Sequence, residues 1–158
     1  MKLYLVQHGE AKPEAEDPER SLTENGVVGI RRVASFIIQA TDISVQMILH
    51  SGKKRALQTA ELFAEKLKPP KGVELGKELN PMSLPWGWVE RLAEMEEDIM
   101  LVGHLPHFQK LSALLLCQDE NKPIIKFQNG GVISLFKDES GIWSLIWIIT
   151  PQIVPSIE

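Results

Sequence analysis

Met47-Ile48-Leu49-His50-Ser51-Gly52-Lys53-Lys54-Arg55-Ala56-Leu57-Gln58-Thr59-Ala60-Glu61 is the stretch that decides how this chain folds. An apolar run, expected as a strand from Val45 to Leu49, breaks at polar residues and a glycine. A helical period follows at once over 53–67, with Ala56, Ala60, Phe63 and Leu67 on one stripe. Pro69-Pro70 stops it, because proline has no N–H to continue the helix. A strand that feeds directly into a helix is the first half of a parallel crossover. The residues at the junction, His50 to Arg55, are the polar ones.

The same grammar recurs on both sides. Leu3 to Val6 reads as a first strand, stopping at Gln7-His8-Gly9. After a charged loop from Glu10 to Arg20, Thr23 is an N-cap and Glu24 suits the helix dipole. Ile30, Val33, Ala34 and Ile37 carry that helix to about residue 39. Residues 71–85, with Gly72, Gly76, Pro81 and Pro85, read as an irregular connection, and Trp86 to Glu96 as a helix. Ile99 to Val102 is a strand ending in Gly103-His104, and Pro106 opens a helix running to about Cys117. Three late strands are expected at 124–127, 132–136 and 143–149, and a loosely held tail from Pro151 to Glu158. Alternating strands and helices predict an α/β fold over residues 1–158 as one domain: a three-layer α/β/α sandwich around a mainly parallel sheet.

Composition narrows the function. The chain has 158 residues and a net charge of −4, which disfavours broad nucleic-acid or membrane-surface binding. No apolar run approaches the ~20 residues of a membrane span. A single cysteine, Cys117, allows no internal disulfide and points to a reducing, cytoplasmic setting. The N-terminus reads as a strand and not as a signal peptide.

In parallel sheets, sites form beyond the carboxyl ends of the strands. His8, Ser51 and His104 each lie just past a strand's last apolar residue, so they are expected at one edge. A neutral His8 imidazole is a candidate nucleophile, with Gly9 allowing close approach of a ligand; the alternative is a structural histidine. Arg55 in a helix first turn can hold two phosphate oxygens, or can simply be solvated. A protonated His104 would stabilise charge on a phosphoryl group, or be an ordinary loop histidine. His107 is less well placed, and His50 lines the rim or packs inside. Lys53 and Lys54 read as surface charges. A zinc site from three histidines is the minor alternative, because Arg55 would repel the cation.

These residues resemble a known family. Gln7-His8-Gly9-Glu10-Ala11 is similar to the Arg-His-Gly block of the histidine phosphatase superfamily (branch 1). Ser51 to Glu61 resembles its Ser-x-x-x-Arg-Ala-x-x-Thr stretch, and Leu101 to Pro106 its later Gly-His. Leu22-Thr23-Glu24-Asn25-Gly26 and Phe127 to Val132 resemble further blocks, and the Leu101 to Pro106 and Phe127 to Val132 blocks are similar to those of the short SixA type. The resemblance implies a phosphoglycerate mutase-like fold and a phosphoryl acceptor at His8. It makes Arg55 and His104 catalytic partners, and Gln7, Gly9 and Ser51 parts of the phosphate pocket. It implies no metal, no organic cofactor, and phosphohistidine on a protein of the histidine phosphotransfer type as substrate.

One departure matters. Where the family has arginine before the nucleophile, this chain has Gln7. Losing that charge removes ~2–4 kcal/mol of transition-state stabilisation, about 10²–10³-fold in rate, unless another cation such as Lys53 or Lys54 compensates. Glu74, Glu78 and Glu90 are available as a general acid but read as surface carboxylates. Three functions remain open: a protein phosphohistidine phosphatase, a phosphatase for small phosphate esters, and a phosphate-binding module without turnover.

Overall fold

The structure is a computed structural model and describes residues 1–156. Its elements are β1 (Lys2–Gln7), α1 (Glu24–Ala40), β2 (Met47–His50), α2 (Lys54–Leu67), β3 (Val73–Leu75), α3 (Trp86–Glu94), β4 (Ile99–Gly103), α4 (His107–Cys117), β5 (Val132–Lys137) and β6 (Trp143–Ile149). The sheet order is β3-β2-β4-β1-β5-β6. The pairs β2–β3, β2–β4 and β1–β4 are parallel, whereas β1–β5 and β5–β6 are antiparallel.

Strand alternation builds the three layers. Tyr4 and Val6 of β1, with Met100 and Val102 of β4, bury against Ile30, Val33 and Ile37 of α1 and Ala56, Ala60 and Phe63 of α2. Leu3, Leu5, Ile99 and Leu101 point to the other face, where Trp88 and Leu92 of α3 and Phe108, Leu111 and Leu115 of α4 cover them. Thr23 caps α1 by accepting the Gly26 N–H at 2.9 Å. Lys137, on β5, is buried and donates from Nζ to the carbonyls of Leu92, Ala93 and Met95, satisfying the end of α3.

Several expectations are corrected. The irregular connection holds a strand: β3 is a three-residue edge element between Gly72 and Gly76, too short for a period-two pattern to stand out. No strand forms at 124–127; Ile125 and Phe127 plug the core as an extended segment with no ladder partner. Pro106 precedes α4 instead of lying inside it. The tail is held as far as Val154, which is buried and whose carbonyl accepts from Arg32 Nη2; its last two residues lie outside the described residues. Among the described residues no helix is long and apolar enough to cross a membrane.

Candidate active site

β1, β2 and β4 run parallel and stop together, so the residues that follow them share one edge. The His8 N–H still donates to Gly103 O at 3.1 Å, tying the first residue past β1 to the end of β4. Gly9 N donates to Thr59 Oγ1 at 3.0 Å, and Thr59 Oγ1 donates to Arg55 O at 2.7 Å, which locks the same turn onto α2. Gly9 is required for packing: a Cβ there would strike Ile30 Cδ1 and lie 3.3 Å from Leu22 Cδ2. It lets the Ile30 side chain of α1 approach closely.

The His8 ring is oriented from both sides. Nδ1 lies 2.7 Å from Gly9 O, and a carbonyl only accepts, so Nδ1 carries the proton. Nε2 therefore keeps its lone pair, and it accepts from Arg55 Nε at 3.3 Å. Burial pushes the His8 pKa down to about 4; the Gly9 bond opposes that shift, and the charges of Arg55 and Arg20 add to it. A neutral imidazole with a free Nε2 is the nucleophilic form.

His104 lies with its ring centroid 5.0 Å from that of His8 and is 2% exposed. Its Nε2 is 2.6 Å from Ser51 Oγ, and its Nδ1 is buried without a partner. Ser51 Oγ also accepts the Lys53 N–H at 3.4 Å, so the turn between β2 and α2 is organised around one hydroxyl. Burial, then His8, Arg55, Lys53 and His107, push the His104 pKa down to about 3. The surroundings thus hold His104 neutral, in contrast to the protonated form expected from sequence. A phosphoryl dianion is the countercharge that would raise its pKa.

The structure brings together His8, Ser51, Arg55 and His104, and puts Gln7 beside them. Gln7 Nε2 donates to Asn129 Oδ1 at 2.8 Å, and Gly130 N donates to Gln7 O at 2.9 Å, so the turn before β5 is strapped to the end of β1. Gln7 Oε1 is buried without a partner. His50 belongs to the turn, accepting the Gly52 N–H at Nδ1 over 3.0 Å. His107 is fully buried against Phe108, with neither ring nitrogen bonded. Lys54 is paired with Glu19 at 2.7 Å, and Glu78 with Arg91 at 3.0 Å. Glu74 and Glu90 are exposed. Among the described residues no three His, Cys, Asp or Glu side chains cluster to hold a metal ion.

Two residues near the site were missed in the sequence. Asn129 lay inside the Phe127 to Val132 block that carried the resemblance, but with no role attached to it. Arg20 stood at the end of a charged loop, and its placement depends on how that loop folds back, with Lys12 N donating to Ser21 O at 2.8 Å.

A three-layer domain with a histidine pair and an arginine at its strand ends defines a class of phosphotransfer folds, and the comparisons agree. A profile of the histidine phosphatase superfamily (branch 1) matches residues 3–100, and this chain belongs to that family. It is 30% identical over 156 residues to phosphohistidine phosphatase SixA of Escherichia coli K12, covering 96% of this chain and 94% of that protein. The solved structure of the protein histidine phosphatase SixA complexed with tungstate superposes with a TM-score of 0.84 at 27% identity, over 96% of this chain and 98% of that one. The α-ribazole phosphatase of Shigella flexneri shares the fold, with a TM-score of 0.79 at 16% identity over the full length of both chains.

Proposed function

We propose that this chain is a phosphohistidine phosphatase acting on a phosphorylated protein of the histidine phosphotransfer type, with residues 1–158 as one catalytic domain. The observation that carries this reading is the His8 ring: Nδ1 is held by Gly9 O, and Nε2 faces Arg55. The similarity to SixA over nearly the whole chain supports the substrate class.

In the proposed reaction the substrate phosphoryl group draws the Arg55 guanidinium onto its oxygens and frees His8 Nε2. That nitrogen attacks phosphorus as the substrate's P–N bond breaks, and the electron pair leaves on the substrate imidazole. Water then attacks phospho-His8, the pair returns to Nε2, and the water's proton leaves with phosphate or to solvent. Ser51 and His104 orient the equatorial oxygens. An imidazole already protonated on its other nitrogen leaves neutral, so no carboxylic acid is needed. This fits the exposed positions of Glu74, Glu78 and Glu90. No metal or cofactor takes part. The free Cys117 fits a cytoplasmic setting.

The test is hydrolysis of a histidine-phosphorylated phosphotransfer domain beside a panel of phosphate esters that includes phosphoserine, with and without a chelator. Faster turnover of the phosphoprotein, unaffected by the chelator, with label trapped on His8 after an acid-free quench, is the expected result. Preference for an ester would make the chain a small-molecule phosphatase. Phosphate binding with no turnover of any substrate would make it a binding module.

A further inference from the structure

We propose that Arg20 supplies the second guanidinium of the phosphate-binding edge, taking over the charge that glutamine at position 7 lacks. The proposal deepens the reading of His8, Arg55 and His104 as a phosphotransfer site and rests on it.

Gln7 does not fill the gap itself. One of its two amide N–H donors is spent on Asn129, the other is neutral and brings no charge, and its carbonyl would repel an anion. Lys54 is spent on Glu19. Lys53 is exposed, and its charge acts on His104.

Arg20 is placed by three anchors. Two residues along, Leu22 N donates to Gln58 Oε1 at 2.8 Å, and Gln58 lies one turn beyond Arg55 on α2. Leu22 itself packs on Gly9, next to His8, and Thr23 N donates to Glu10 O at 2.9 Å. An isolated bridge between Ala11 and Leu22 closes the loop back along the segment leaving β1. Arg20 therefore lies on the loop that folds back along the segment leaving β1 and onto the first turns of α2, where Lys54 reaches the neighbouring Glu19.

One hydrogen bond holds the side chain and leaves its other donors free. Arg20 Nε donates to Lys12 O at 3.1 Å, which fixes the guanidinium plane. Its two Nη groups have no protein acceptor, and no carboxylate pairs with it among the described residues. Its charge helps to depress the pKa of both His8 and Arg55. The backbone is held at φ +52, a left-handed conformation unfavourable for a side chain of this size. Asp17 imposes it. Arg20 N donates to Asp17 O at 2.9 Å, and the Asp17 carboxylate accepts the Glu19 N–H at 3.0 Å, the Ser21 N–H at 3.0 Å and the Ser21 hydroxyl. Those bonds push the Asp17 pKa down to about 2, so the carboxylate that holds the turn is ionised at neutral pH. Asp17 is a positioning residue for Arg20.

The experiment compares Arg20→Ala, Arg20→Lys, Gln7→Arg and the double variant Gln7→Arg/Arg20→Ala. Two quantities are read: the Kd for inorganic phosphate, by titration, and kcat/KM on a phosphohistidine peptide. Arg20→Ala is expected to weaken phosphate binding and to lower kcat/KM by about 10–100-fold, with Arg20→Lys between it and the parent. Gln7→Arg is expected to help the Arg20→Ala background by about tenfold or more and the parent by much less, because one guanidinium substitutes for the other. A misfolded loop would not be rescued in this way. Phosphate affinity and turnover of Arg20→Ala within about twofold of the parent, or equal gains from Gln7→Arg in both backgrounds, would overturn the proposal. If the parent turns over no substrate yet its phosphate affinity still depends on Arg20, the catalytic reading fails and the role of Arg20 stands.

Discussion

The two halves of the sheet treat the same edge differently. In the parallel half, β1, β4 and β2 end in His8, His104 and Ser51, with Arg55 one step into α2, and these residues bond directly to one another. In the antiparallel half, the turn before β5 offers neutral groups: Asn129 Oδ1 accepts from Gln7, and the Gly130 N–H donates to the carbonyls of Gln7 and His8. One side carries charge and a nucleophile; the other carries packing and hydrogen bonds. The difference teaches that a parallel crossover aims side chains at the edge, whereas a hairpin entering from the far side closes it off.

The comparison predicts its largest effect at His8. His8→Ala should lower phosphohistidine turnover by about 10³-fold or more with little change in thermal midpoint, since the nucleophile has no substitute at the edge. Turnover undiminished in this variant would remove the mechanism. Arg55→Ala should follow at about 10²–10³-fold, because it removes a charge on the transferring group and the partner of Nε2. Single-turnover kinetics would show the loss in kcat and not only in KM.

Acid offers a third way to sharpen the contrast. The folded pKa values of His8 and His107 are pushed to about 4 and that of His104 to about 3, all below the ordinary 6.5. Between 6.5 and these values the unfolded chain binds more protons than the fold, so stability is full above pH 6.5 and declines as pH falls. For fully buried His104 and His107 the slope is at most roughly 1.4 kcal/mol per pH unit each. Urea midpoints from pH 7 to pH 4 would show it, and His107→Phe should flatten the curve, since neither His107 nitrogen has a partner to lose. Catalysis should persist below pH 6.5 and be lost as pH falls through about 4, where His8 is protonated.

Much of this was legible in the chain itself. The parallel half announced itself through runs such as Met47 to Leu49 that break into polar residues at a helix start, and the strand-end rule then put His8, Ser51 and His104 together. Arg20 was not legible, because its position depends on Asp17 folding the loop into a left-handed turn, and no periodicity records that. The 124–127 segment misled because alternation reports burial of Ile125 and Phe127, and burial occurs here without a ladder partner. The neutral state of His104 without a phosphoryl group was not legible, because residue type alone does not reveal how fully a strand-end histidine is desolvated.

The smallest effect belongs to the antiparallel half. Asn129 is exposed and touches the site only through the Gln7 amide. Asn129→Ala frees that amide to turn toward solvent or toward a bound oxygen, so kcat/KM should change by about tenfold at most, a neutral hydrogen bond contributing roughly 0.5–1.5 kcal/mol. Asn129→Asp should cost more, because a carboxylate at the same position holds Gln7 and also repels a phosphoryl dianion; that extra loss should shrink as salt is raised. A loss in Asn129→Ala as large as that in Arg55→Ala would mean that the hairpin side takes part in phosphate recognition, and the division between the two halves would fail.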